Sequence, residues 1–105
     1  MAWFYLVIAG LLETAWATGL KSVAGSFNIG ILVLTTVLMF GSLGALGIAM
    51  RTLPLGVAYP IWTGIGSVGA VAVSVVVFRQ DIGLPTIAGV VLLIGGMYLI
   101  SLDNG

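Results

Sequence analysis

The sequence predicts an all-α membrane protein of four transmembrane helices running up-down-up-down. Three observations carry that expectation. Of the 105 residues, 61% are hydrophobic and 6% are charged, whereas a soluble domain carries charge at about a quarter of its positions. The apolar residues fall into four runs, each long enough for the roughly 20 helical residues that a bilayer core requires. The charged residues are Glu13, Lys21, Arg51, Arg79, Asp81 and Asp103, and all but Glu13 lie at the ends of those runs.

The first helix is expected over about 3–20. It reads as a mature span and not as a signal peptide, because it lacks a basic leading region and carries an acid in its core. A turn is expected over 21–28, from Lys21 to Asn28. The second helix follows over about 29–50 and ends at Arg51-Thr-Leu-Pro54. The third is expected over about 56–78, before Arg79-Gln-Asp-Ile-Gly-Leu-Pro85. Its Val-rich end has strand-like propensity. Lipid overrides that preference, since an open strand leaves its backbone polar groups unsatisfied and a barrel needs alternating polar positions. The fourth helix is expected over about 85–102, with Pro85 in the first turn, where a missing N–H costs nothing. The whole chain, 1–105, is thus expected to form a single four-helix transmembrane domain.

Cysteine and histidine are absent, which removes disulfides, thiol chemistry and the usual transition-metal ligands. Neither a metal nor a cofactor is expected. The net charge is zero and no basic block occurs, so nucleic acid is excluded as a partner. No nucleophile–base pair or phosphate loop is present, and Gly64-Ile-Gly66 lacks the remainder of a dinucleotide fingerprint. An enzyme is therefore not expected. Lys21 and Arg79 fall on one membrane face, and Arg51 and the terminal amine on the other. That balance leaves orientation unspecified by the positive-inside rule. Insertion in both directions would let two copies pair antiparallel and supply the symmetry that alternating access often uses.

Glu13 is the most informative residue. Burying a charged acid at mid-membrane costs about 2.5–3.5 kcal/mol on translocon scales, which marks it as a proton carrier or a cation ligand. Ala9, Gly10, Glu13 and Ala17 share one helical face, with Trp16 a turn beyond the acid. Small residues there leave room for a ligand or for a closely packed helix. On the second helix Ser42 sits at about mid-depth among Gly41, Gly44 and Gly47. Its hydroxyl could bond a ligand, orient Glu13, or return to its own i−4 carbonyl. On the third helix Tyr59, Trp62, Gly66 and Gly69 or Ala70 form one stripe. Two aromatics a turn apart can cage a cation through their π faces, with an interfacial aromatic belt as the structural alternative. Gly64 and Gly66 are a candidate hinge. On the fourth helix Gly89, Leu92, Leu93, Gly96 and Met97 form a stripe without a polar group, suited to helix packing and to a dimer interface.

These residues resemble the small multidrug resistance transporter family over the entire chain. The resemblance rests on Gly10-Leu-Leu-Glu13-Thr-Ala-Trp16, Leu20-Lys21, Thr52-Leu-Pro54-Leu-Gly56-Val-Ala-Tyr59 and Ile61-Trp62-Thr-Gly-Ile-Gly66. Trp16 and the run from Trp62 to Gly66 look like the guanidinium-exporter subtype; the broad multidrug subtype usually has Ser after the third-helix Trp. The resemblance implies an antiparallel, dual-topology homodimer in the lipid of a bacterial inner membrane, exporting guanidinium or a similar small cation in exchange for protons. Carried over by position, Glu13 binds substrate and protons alternately, Trp16, Ser42, Tyr59 and Trp62 shape the site, and Gly10 and Thr63 line it. The fourth-helix stripe holds the dimer.

Three features depart from the family pattern. Pro60 stands where the family commonly has Ala or Val, the fourth helix ends in Tyr98-Leu-Ile-Ser101 without the usual Lys, and the first loop is poor in charge. The family also contains quaternary-ammonium exporters and chains that work only as heterodimers with a sister chain, so both remain alternative implications. A rotary-ATPase proteolipid shares the small size, the Gly-rich helices and the lone acid. Those subunits are usually two-helix hairpins with the acid on the second helix, and here it lies on the first of four.

Overall fold

Four helices account for nearly all of residues 1–103, the part of the chain that the computed structural model describes. They are α1 (Ala2–Gly25), α2 (Ile29–Ala49), α3 (Leu55–Val76) and α4 (Leu84–Ser101). Each is long and apolar enough to cross a membrane, and no strand occurs among the described residues. The Val-rich end of α3 is helical through Val76, as the backbone demands of lipid require.

The boundaries differ from expectation most at the end of α1. Residues 21–25, expected to turn, continue the helix. Lys21-Ser-Val-Ala holds no helix breaker, and the chain departs only at Gly25-Ser26. There the backbone becomes extended and the Ser26 N–H returns to the Ser22 carbonyl at 3.0 Å. At about 1.5 Å per residue the helix spans roughly 36 Å, more than the ~30 Å hydrocarbon core. Lys21 and the last turn therefore reach the headgroup region, where a Lys stem lies along apolar surface and its ammonium meets water. The α2 helix starts where Asn28 caps it, accepting from the Ile31 N–H at 3.2 Å. Pro54 precedes α3 and Pro85 lies in the first turn of α4. Pro60 lies inside α3 without ending it. It removes the N–H that would otherwise bond the Gly56 carbonyl.

α3 stops at Val76, two residues short of the expected 78. The Val77 and Phe78 N–H groups converge on the Val73 carbonyl at 2.7 and 3.3 Å, and the Gln80 N–H reaches Ser74 at 2.8 Å. Arg79 between them is left-handed, with φ 53°, the conformation that commonly ends a helix and that glycine adopts most easily.

α1 is the centre of the packing. It lies against α2 and α3, while α4 touches α3 alone among the described elements. The molecule is a slab of 44 × 34 × 16 Å, little thicker than one helix with its side chains. The helices mesh because glycines on one admit side chains of the next. Gly10 of α1 receives Ile65 of α3, while Gly66 and Gly69 of α3 receive Glu13 and Thr14 of α1. Gly19 receives Thr35 from α2, and Gly64 receives Met97 from α4. Lipid supplies no hydrophobic drive between helices, so this close approach and the polar ties beside it hold the seams.

The principal tie is a single carbonyl. Ser42 Oγ of α2 donates to the Ala9 oxygen of α1 at 2.7 Å. Trp62 Nε1 of α3 donates to the same oxygen at 3.2 Å and to Ser42 Oγ at 3.0 Å. Ser42 and Ala9 are 0% exposed and Trp62 is nearly so. Around this node pack Leu6, Leu46, Ala49, Ala58 and Ile61.

Ser42→Ala removes two of these three bonds, leaving Trp62 Nε1 its bond to the Ala9 carbonyl. It is expected to lower stability by about 1–3 kcal/mol, read by reversible unfolding in mixed micelles. Arg79→Gly relieves the left-handed backbone. It is expected to raise stability by at most about 1 kcal/mol in the same assay, since glycine also loses more entropy on folding.

A carboxyl wedged between two helices

Glu13 belongs to the helix that the node fixes. In a regular helix its N–H bonds the Ala9 carbonyl, so the carbonyl gathering Ser42 and Trp62 lies one turn from the acid. The Glu13 side chain crosses to α3 and lies against Gly66, where a Cβ would meet the carboxyl group itself. One carboxyl oxygen, Oε1, is shielded and has no hydrogen-bond partner. Trp16 Nε1, one turn on, is shielded and unpartnered as well. A buried polar atom left in this state costs about 1–3 kcal/mol. Glu13 is the only acid within a spanning helix, and among the described residues no three metal-ligating side chains come together.

Trp62 links the node to the open side of the site. Its ring nitrogen is held by Ala9 and Ser42, while its ring packs on Tyr59 at 5.4 Å between centroids with a 54° tilt. Tyr59 is 49% exposed, which leaves an aromatic surface facing outward beside the seam that holds the acid. Ser42, left open in the sequence between a ligand, Glu13 and its own helix, bonds the Ala9 carbonyl of a neighbouring helix.

Other expected site residues lie elsewhere. Gly10 is filled by Ile65 and serves the α1–α3 seam. Thr63 is directed toward α4, and its hydroxyl donates to the Tyr59 and Pro60 carbonyls at 3.1 and 3.0 Å. With Gly64, Ser67 and the fourth-helix stripe it borders a groove of about 490 Å³ between α3 and α4. In that stripe Gly96 and Met97 are partly covered, Leu92 is 76% exposed, and no residue of α4 is buried. α3 runs unbroken through Gly64 and Gly66.

Two participants escaped the sequence reading. One is the Ala9 carbonyl, which a side-chain pattern cannot reveal. The other is Thr14, which follows the acid and reaches toward α3. A hydroxyl next to an intramembrane acid was the available signal.

A carboxyl in this position can carry a proton or pair with a cation, and the two uses exclude each other. The chain matches the family model described as Small Multidrug Resistance protein over residues 1–93. It is 41% identical over 104 residues to a guanidinium exporter of Escherichia coli O6:H1, covering 99% of both chains. It is 40% identical to the guanidinium exporter of Escherichia coli strain K12, again across 99% of both. Against the guanidinium exporter of Yersinia pseudotuberculosis serotype I the identity is 41%, over 99% of this chain and 100% of the relative. Four spanning helices, an intramembrane acid seated on a glycine of the neighbouring helix, and likeness along its whole length make this chain a multi-pass integral membrane protein that belongs to the small multidrug resistance family.

Proposed function

We propose that the chain exports guanidinium or similar small cations in exchange for protons, with Glu13 as the group that both must occupy. The observation that carries this reading is the shielded, unpartnered Glu13 oxygen within a membrane-spanning helix. Relatives covering nearly the full chain are named guanidinium exporters, which supports the choice of cation. Guanidinium is planar and presents parallel N–H groups that fit a carboxylate in a bidentate fork. The Tyr59–Trp62 pair offers π faces to its positive charge. A protonated Glu13 cannot make that charged pair, and a bound cation leaves no place for the proton. Exchange is then competition for one carboxyl, with no separate coupling device.

The working unit in this reading is an antiparallel homodimer. A slab 16 Å thick has no interior in which to enclose a substrate. The half-exposed Tyr59 and the unburied α4 stripe of Gly89, Leu92, Leu93, Gly96 and Met97 would be covered by a second copy. Balanced Lys and Arg across the two membrane faces permits that copy to insert the opposite way. Two Glu13 groups in one cavity would titrate as a coupled pair. Gly64 and Gly66 would then be points about which α3 bends as access alternates.

Purified chain in proteoliposomes provides the test. Guanidinium added outside is expected to drive proton movement, and its apparent KM is expected to rise as pH falls on the loading side, because protons occupy the carboxyl. Glu13→Gln is expected to lower the guanidinium-driven signal roughly 100-fold or more, in keeping with loss of one partner of a desolvated charge pair. No signal from folded wild-type protein would sink the proposal. Gly66→Ala places a methyl against the Glu13 carboxyl. It is expected to lower transport about 10-fold, a typical overpacking cost, while Gly25→Ala, whose Cβ meets nothing, transports as wild type does.

A further inference from the structure

Among the described residues five membrane-helix hydroxyls bond the carbonyl one turn back, and Thr14 is the one among them that also reaches a neighbouring helix. Thr18 reaches Thr14 at 2.8 Å, Thr36 reaches Leu32 at 2.9 Å and Ser67 reaches Thr63 at 2.7 Å. Thr63 reaches Tyr59 at 3.1 Å while sharing its hydroxyl with Pro60 of its own helix at 3.0 Å. Thr14 stands 3.3 Å from the Gly10 carbonyl and 3.5 Å from the carbonyl of Gly66 on α3. Its hydroxyl lies between the two carbonyls and is long to both. The notch it occupies is built for it, since a Cβ at Gly69 would collide with the Thr14 side chain. The residue whose carbonyl it shares is Gly66, whose missing side chain makes room for the Glu13 carboxyl. Thr14 and Glu13 are consecutive, so the α1–α3 spacing at Thr14 is the spacing at the acid.

We propose that Thr14 is a positioning residue: its hydroxyl ties α1 to the Gly66 carbonyl and so fixes how deeply Glu13 lies against α3. The proposal rests on the reading of Glu13 as the exchange site. The other four hydroxyls keep to their own helices at 2.7 to 3.1 Å, whereas Thr14 stands farthest from its own carbonyl and has its second acceptor across the seam. Among the helices packed on α1, α2 carries no titratable side chain and α3 carries only Tyr59, and α1 itself adds Tyr5 and Lys21, each about two turns from the acid. These groups and a second copy's Glu13 are the same in wild type and in the Thr14 variants, so a difference in Glu13 titration between them reports on this seam.

Thr14→Val keeps the shape and removes the hydroxyl; Thr14→Ser keeps the hydroxyl and removes a methyl. In guanidinium-driven proteoliposome transport, Thr14→Val is expected to raise the KM for guanidinium roughly 3–10-fold, the equivalent of one lost hydrogen bond, with Thr14→Ser within about twofold of wild type. Carbon-13 NMR of the Glu13 carboxyl in bicelles supplies a readout that needs no transport. There the titration midpoint is expected to move in Thr14→Val and to hold in Thr14→Ser. Should Thr14→Val not fold, Thr14→Ala removes the same hydroxyl without added bulk and is expected to show both shifts. A wild-type midpoint and KM in the variant lacking the hydroxyl overturns the proposal, as does a Thr14→Ser protein that behaves like Thr14→Val. If wild-type protein moves no guanidinium while the midpoint still shifts only on loss of the hydroxyl, the tie stands and the transport reading falls.

Discussion

The seam between α1 and α3 is the constraint on which the site depends. An acid can be kept in a membrane-spanning helix only if something beside it accepts its bulk and shields it from lipid. Here α3 does so by lacking side chains at Gly66 and Gly69, opposite Glu13 and Thr14. Gly10 returns the accommodation by admitting Ile65. Three interlocked positions within about two turns bring the helices close enough for a hydroxyl of one to reach a carbonyl of the other. In hydrocarbon, where burying more apolar surface gains nothing, such contacts are the main means of setting a helix's distance and register.

The Ala9 carbonyl adds the third helix to this pair. Ser42 brings α2 and Trp62 brings α3 to the same oxygen, so the turn of α1 preceding Glu13 is held from two sides. This also fixes the Trp62 ring, and through it the surface on which Tyr59 rests. Trp62 is thus held and buried, while Tyr59 packed on it stays half exposed. The acid has no such polar holding. Its shielded oxygen is unpartnered, as are Trp16 Nε1 and Thr35 Oγ1.

Much of this was legible in the sequence, for identifiable reasons. Apolar runs bounded by charge gave four helices, because length and hydropathy dominate in a bilayer. Glu13 stood out because its cost is unrelieved by any neighbour in sequence. The end of α1 lies beyond its expected place because polarity at Lys21 suggests a turn, whereas the backbone yields only at Gly25-Ser26. Ser42 was legible as a polar group and not by role, and Thr14 not at all, since their acceptors lie 33 and 52 residues away. Thr63 adjoins Trp62 in sequence, yet one helical step turns it toward α4 and away from the seam.

The fourth helix has a property with consequences beyond any site. It meets one neighbour and buries none of its residues, so a solitary chain positions it by a single seam. Any second surface that docks on it adds to its stability by mass action. With nothing docked there, α4 is held by the seam in which Gly64 admits Met97, so whatever widens that one seam frees the whole helix.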